Sequence, residues 1–362
     1  MELRYLEGAA ALKERIGALS GRTPNALQVE FAAACLLHGR LFWDSARRAP
    51  LETQPLLLYY GAAAFAKALV VAYGKKQQDL SQSHGLVCAV GNRERIADFS
   101  MKAKGNGLFQ QFNDVVAPLN KFCYFEDTMP RKLIYPTACS ADLSAFKVTL
   151  DDCLSRLPDL AEVYELSTGA EAKSLSLSCM DEFDGKATHT IRVNLPRLYE
   201  DEPTLRAIVA DVRAKAPFLA LWRVKEAQKG WGKTVLLLDN YQSCDNEHYI
   251  LASQNGGYIT RLSDYRTFDA LGSLPPLTGG SGGTTAYMHP INGNHVSEFS
   301  IMLAALLGLS SLVRYHPHTW TACIYRRQVS GRPVDDQFLP VIEEFLAMVQ
   351  AKFPRFIAEA IL

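Results

Sequence analysis

The stretch PLLLYYGAAAFAKALVV, residues 55–71, decides the class of fold. Pro55 suits the first turn of a helix, where its missing N–H is not needed, and no further proline interrupts the run. Ala62, Ala63, Ala64, Ala66 and Ala68 keep the helix surface small, so that a second helix can approach closely. Upstream, Thr23, Pro24 and Asn25 read as a helix start. Leu27, Phe31, Ala34, Cys35, Leu41 and Phe42 then recur at near-helical spacing to about Ala46. The charged, proline-containing connection from Arg47 to Gln54 is short, so the two helices are expected to form an antiparallel hairpin.

Beyond Gly74 the character changes. Lys75 to Asp79 is a polar stretch, followed by His84, Gly85 and Leu86. Ile96 to Lys104 alternates in part like a strand, Gly105 to Gly107 is a turn, and Leu108 to Phe112 is a short helix. From Phe122 to Arg266 the pattern is mixed, with a short helix at Leu150–Leu160, a strand at Thr188–Leu195 and a helix at Leu205–Ala214. Leu219–Val224 and Thr234–Leu238 flank Gly230, Trp231 and Gly232 as paired strands; Tyr249–Ser253 and Tyr258–Arg261 suggest a further hairpin. Pro275 to Gly283 is the strongest punctuation, and long apolar helices follow at His295–Val313 and Asp335–Leu362. The fold class expected is therefore α+β. A helical body built from residues 1–120 and 285–362 carries an inserted, smaller antiparallel or mixed β-sheet region at 121–284, and the terminal helices pack together.

Composition narrows the function. The 362 residues are 48% hydrophobic, enough for a substantial core, and carry 38 basic and 38 acidic side chains. No global field draws the chain to nucleic acid or anionic lipid, so any such binding must come from a local patch. The apolar runs at Pro55–Tyr73 and Ile301–Val313 are interrupted or short, and the N-terminus has no basic, apolar and small-residue succession. No membrane partner and a cytoplasmic location are expected. Eight cysteines are scattered without a C-x-x-C pair, which argues against a zinc ribbon, a thioredoxin-type site or a disulfide framework.

Several motifs point to a family. Pro55 to Tyr60 with Ala66 to Leu69, followed by His84, Gly85 and Leu86, resembles the amino-terminal part of the uncharacterised bacterial YaaC-like proteins. Leu312 to Pro317 with Trp320, then Phe345, Leu346, Lys352, Phe353 and Pro354, resembles their carboxy-terminal signature. Leu157 to Leu160 is similar too, so the resemblance covers most of the chain. It implies no particular activity.

The candidate catalytic groups are Arg314, His316, His318 and His84, which converge with Lys67 if the terminal helices form one bundle. Arginine with histidine can hold a phosphodiester and move a proton without metal. Three residues separate Arg314 from His318, one short of the interval typical of HEPN ribonucleases, and Pro317 lies inside it. The alternative is structural: Arg314 satisfies the end of its helix while Tyr315 and Trp320 pack beneath it. His84 is either a catalytic group on a tight turn or a turn residue bonded to backbone. Candidate binding residues are Lys67, Trp231 and Lys233; the last two pair an aromatic ring with positive charge, or form a packed hairpin tip. His289, Asn292, His295 and Glu298 are close in sequence, yet Glu298 fits the first turn of a helix better than a metal site. Glycines 279–283 lack the lysine of a phosphate loop and suit a linker or lid.

The function expected is a non-catalytic or regulatory protein without a cofactor. It would act on another protein or by self-association, in a bacterial stress response or phage defence. The competing readings are a HEPN-like, metal-independent ribonuclease with RNA as substrate, and a nucleotide or small-molecule sensor with the glycine-rich segment as its lid.

Overall fold

The computed structural model describes residues 2–88, 95–105, 107–116, 121–126, 129–134, 143, 145–183, 187–195, 198–216, 223–230, 233–239, 277–279, 285–292, 296–325, 328–329, 332–333 and 336–362. In chain order the helices are α1 (Glu2–Leu6), α2 (Ala9–Ser20), α3 (Ala26–Ala46), α4 (Gln54–Ala72), α5 (Leu108–Val116), α6 (Leu150–Leu154), α7 (Ala161–Thr168), α8 (Glu202–Lys215), α9 (Glu298–Tyr315), α10 (Pro317–Ile324) and α11 (Leu339–Ile361). The strands are β1 (Leu86–Cys88), β2 (Ser100–Ala103), β3 (Lys121–Glu126), β4 (Met129–Ile134), β5 (Lys147–Thr149), β6 (Ser174–Phe183), β7 (Ala187–Leu195), β8 (Arg223–Gly230), β9 (Lys233–Asp239), β10 (Leu277–Gly279), β11 (Thr285–Met288), β12 (Gln328–Val329) and β13 (Arg332–Pro333). This is the expected α+β fold with a helical body.

The chain divides into two compact units. The first holds residues 1–117, 140–171 and 296–362; the second holds 118–139 and 172–295. Residues 140–171 thus cluster with the helical body, whereas the sequence suggests the sheet region for them. The expected boundary at Pro275–Gly283 falls inside the second unit, beside the paired strands β10 and β11.

In the helical unit, α3 starts on a capping box. The Asn25 side chain accepts from the Gln28 N–H at 2.8 Å, and the Gln28 side chain accepts from the Asn25 N–H at 3.3 Å. Pro55 stands in the first turn of α4, as its fixed φ favours. α4 is the hub: it packs on α3, α9, α11, α5 and α2, and Leu58, Phe65, Ala66, Leu69 and Val70 are buried. A side chain on Gly61 would press on Trp43 and on the Gly39 carbonyl, so the α3–α4 contact needs glycine there. The two chain ends join through Trp43, which stacks on Phe353 at 5.9 Å and donates its indole N–H to the Gln350 carbonyl at 3.1 Å. By length and composition alone, α4 and α9 are apolar enough to span a bilayer. They are 72% and 83% buried within the protein, so their place in its core accounts for that apolarity.

A three-stranded antiparallel sheet, ordered β1-β2-β5, also belongs to the helical unit. The second unit carries a six-stranded sheet, ordered β10-β11-β6-β7-β9-β8, and the β3–β4 hairpin. Every strand pair in it is antiparallel among the described residues. The expected pairing around Gly230 and Gly232 is present, with Gly230 opposite Lys233; the strand continues past Val224 to Gly230, and residues 219–222 lie outside the described residues. The hairpin expected at Tyr249–Arg261 lies outside the described residues.

Candidate functional site

The carboxy-terminal end of α9 decides which of the expected groups meet. The helix ends at Tyr315; His316 has φ −132° and ψ 49°, and Pro317 then opens α10. A proline cannot continue a helix but can start one, so Pro317 redirects the chain instead of only stopping it. His316 therefore leaves the line of Arg314, and its ring meets Phe99 edge-on at 5.5 Å. His318 is exposed on the first turn of α10.

Arg314 turns back along its own helix. Its Nε donates to the Ser310 carbonyl at 3.3 Å and an Nη to the Ser310 hydroxyl at 3.3 Å. Its guanidinium lies 4.9 Å from the centre of the Tyr315 ring and 5.9 Å from that of Tyr60 on α4. Trp320 is buried, as expected, and donates to the Glu52 carbonyl at 3.0 Å. Tyr315 lies under the guanidinium, as expected, but on the surface, where it is 67% exposed.

His84 reaches the same region from a clamped turn. The N–H groups of Leu108 and Phe109 donate to the Ser83 and His84 carbonyls at 3.0 and 3.1 Å, and the Lys104 N–H donates to the Gly85 carbonyl at 2.9 Å. Gly85 has φ +80°, open to glycine, and a side chain on Gly107 would collide with the Gly85 backbone. The two segments meet where only glycines fit, and the imidazole lies edge-on against Tyr59 at 5.4 Å between ring centres. His84 therefore stands on a tight turn, the feature common to both expectations.

The electrostatic neighbours of His84 are Arg314 and Lys67. Burial holds its pKa below the usual imidazole value, and the two cations lower it further, so the ring is neutral at pH 7. Lys67 lies one face along α4 from Tyr60, seven residues on, and also acts on Cys35 of α3, whose thiol burial pushes up to about 11. Cys88 at the end of β1 bonds Ser311 and feels Arg314; burial raises its pKa all the same. Burial likewise raises the pKa of Tyr59, against the pull of Arg314.

Among the described residues, no carboxylate acts on His84, Tyr59, Cys88 or Cys35, and none pairs with Lys67 or Arg314. Elsewhere in this unit Arg40, Arg156, Lys352 and Arg355 each hold at least one. Positive charge without a carboxylate partner among the described residues, beside neutral hydrogen-bonding groups, is what an anion requires. Tyr60 and Tyr315 belong to this site and escape a reading of the sequence, because tyrosines in apolar helices carry no mark of their exposure.

The other expected residues lie apart from this cluster. Trp231 is outside the described residues, and Lys233 begins β9 in the sheet-bearing unit. Glu298 is engaged by Lys352 at 3.0 Å, and His295 lies outside the described residues.

Fold and site together define an α+β protein in which two helices from opposite ends of the chain present a cation and aromatic cluster. Residues 14–361 match the model of the YaaC-like protein family, and the chain belongs to that family. No curated protein and no solved structure matches it.

Proposed function

We propose that this protein works by binding, and that the cluster of Lys67, His84 and Arg314 receives a phosphate group of its ligand. One observation carries the reading: two cations and an imidazole share a site with no carboxylate among the described residues. A phosphate there accepts from the guanidinium and the ammonium, and its charge favours protonation of His84. The hydroxyl of Ser311 and the Cys88 thiol supply neutral contacts nearby.

Calorimetric titration with inorganic pyrophosphate tests this. Arg314→Ala and Lys67→Ala should each weaken binding by about tenfold or more, the cost of a lost charge-assisted hydrogen bond, while His318→Ala leaves it unchanged. Binding that is absent, or that survives both substitutions, overturns the proposal.

A metal-independent ribonuclease remains the second reading, because a neutral His84 beside Arg314 is a base next to a cation. Its acid partner is not supplied by His316, which is turned to Phe99. Incubation of RNA with the protein in chelator separates the two readings. Degradation abolished by His84→Ala would favour catalysis, and intact RNA favours binding.

A further inference from the structure

The phosphate site continues into a row of exposed rings. Phe42 of α3 lies 5.6 Å from Tyr60 of α4, with the ring planes 31° apart. Tyr60 leads to Arg314 at 5.9 Å, and Arg314 to Tyr315 at 4.9 Å. Phe42, Tyr60 and Tyr315 are 37%, 36% and 67% exposed, whereas Trp43 and Tyr59, adjacent to the first two, are buried.

Aromatic rings thus stand at the surface on either side of a guanidinium, with Lys67 on the same face of α4 as Tyr60. A purely apolar docking surface for another protein would have no use for unneutralised cations within it. A mononucleotide would need an enclosing pocket. Two cavities of this unit, one of about 530 Å³ beside Arg40 and Trp43 and one of about 500 Å³ beside Lys13 and Arg22, are lined by other residues. An open row of rings interleaved with phosphate-binding cations instead matches a strand whose bases stack while its backbone meets the charges. With no net charge on the whole chain, attraction to a polyanion has to be local, as it is here.

We propose that the ligand is a single-stranded nucleic acid, with bases stacked on Tyr315, Tyr60 and Phe42 and a phosphate held at Arg314, Lys67 and His84. This deepens the phosphate-binding reading and rests on it. Duplexes fit poorly, because their bases are already stacked and their faces covered.

Fluorescence anisotropy of a short, labelled oligonucleotide, as RNA and as DNA, tests the proposal on the full chain, alongside the pyrophosphate titration. Tyr315 is mostly exposed, so Tyr315→Ala leaves the fold intact, which circular dichroism checks. It should weaken strand binding by about 5- to 100-fold, far more than it weakens pyrophosphate binding. Phe42→Leu should act in the same direction, and Arg314→Ala should weaken both ligands. The stacking proposal falls if Tyr315→Ala and Phe42→Leu bind the strand like wild type, or if a duplex of the same sequence binds as tightly. In either case the phosphate site stands as long as pyrophosphate binding still depends on Arg314. If neither ligand binds, both readings fall.

Discussion

Replacing Lys352 by methionine removes one ammonium from between two buried carboxylates. Its Nζ lies 2.7 Å from Asp159 and 3.0 Å from Glu298. Glu298 is 5% exposed, and the Asp159 side chain 10%. The lysine comes from α11, Glu298 from the first turn of α9, and Asp159 from the turn before α7, so this triad ties the inserted segment 140–171 to the carboxy-terminal helices. At an effective dielectric of about 20, each contact is worth about 5–6 kcal/mol of gross attraction, most of it offset by desolvation. Removing one partner of a buried pair costs about 3–5 kcal/mol, because the orphaned charge stays buried. Lys352 keeps 26% of its side chain exposed, which puts the expected loss near the lower end, about 3 kcal/mol.

Urea unfolding followed by far-ultraviolet circular dichroism reads this loss as a lower midpoint at unchanged slope. Adding Glu298→Gln and Asp159→Asn to the variant should restore much of the loss. Burial opposes the charge on Lys352, yet Glu298 and Asp159 together raise its pKa. The stabilisation is therefore complete below the ordinary lysine value of about 10.4 and fades as the pH rises through the folded-state value. A Lys352→Met protein within about 0.5 kcal/mol of wild type near neutral pH would refute the reasoning.

Three further outcomes are expected. Affinity for pyrophosphate should rise as the pH falls toward about 6, because His84 sits below the usual imidazole pKa when free and gains a proton beside bound phosphate; an imidazole NMR titration with and without pyrophosphate reads both values. In the free protein the same depressed pKa means that stability is full above about 6.5 and declines as the pH falls through the folded-state value. Gly107→Ala should cost more than about 1 kcal/mol in thermal unfolding and weaken pyrophosphate binding, since it drives the Gly85 turn, and His84 with it, out of place. Phe353→Ala, which removes a fully buried ring that stacks on Trp43 and Phe112, should cost about 3–5 kcal/mol by the same urea assay without changing phosphate affinity in the protein that remains folded.

Local signals carried most of the elements. The run from Pro55 announces α4, the alternation from Thr188 to Leu195 announces β7, and the start at Asn25 is realised as a capping box. Each of these is settled within a few residues by backbone sterics and side-chain period, so a linear reading suffices. Other features are not local. Residues 140–171 read as part of the sheet region because they contain a short strand and short helices, but Asp159 and Tyr164 face the helical ends, which no neighbour in sequence indicates.

By itself, then, the sequence determined the helices and strands, the α+β class, the joining of the two chain ends and the short list of basic groups able to meet an anion. Tertiary structure alone decided which of those groups do meet. Lys67 and Arg314 lie far apart in the chain and both act on His84 only because α4 and α9 pack in one core; His316, two residues from Arg314, is turned to Phe99 where Pro317 starts a new helix. Exposure follows the same rule: Tyr60 and Tyr59 are adjacent on one helix, yet one is 36% exposed and the other buried. Side-chain period is written into the chain, whereas the face that meets water is fixed only when every other element has taken its place.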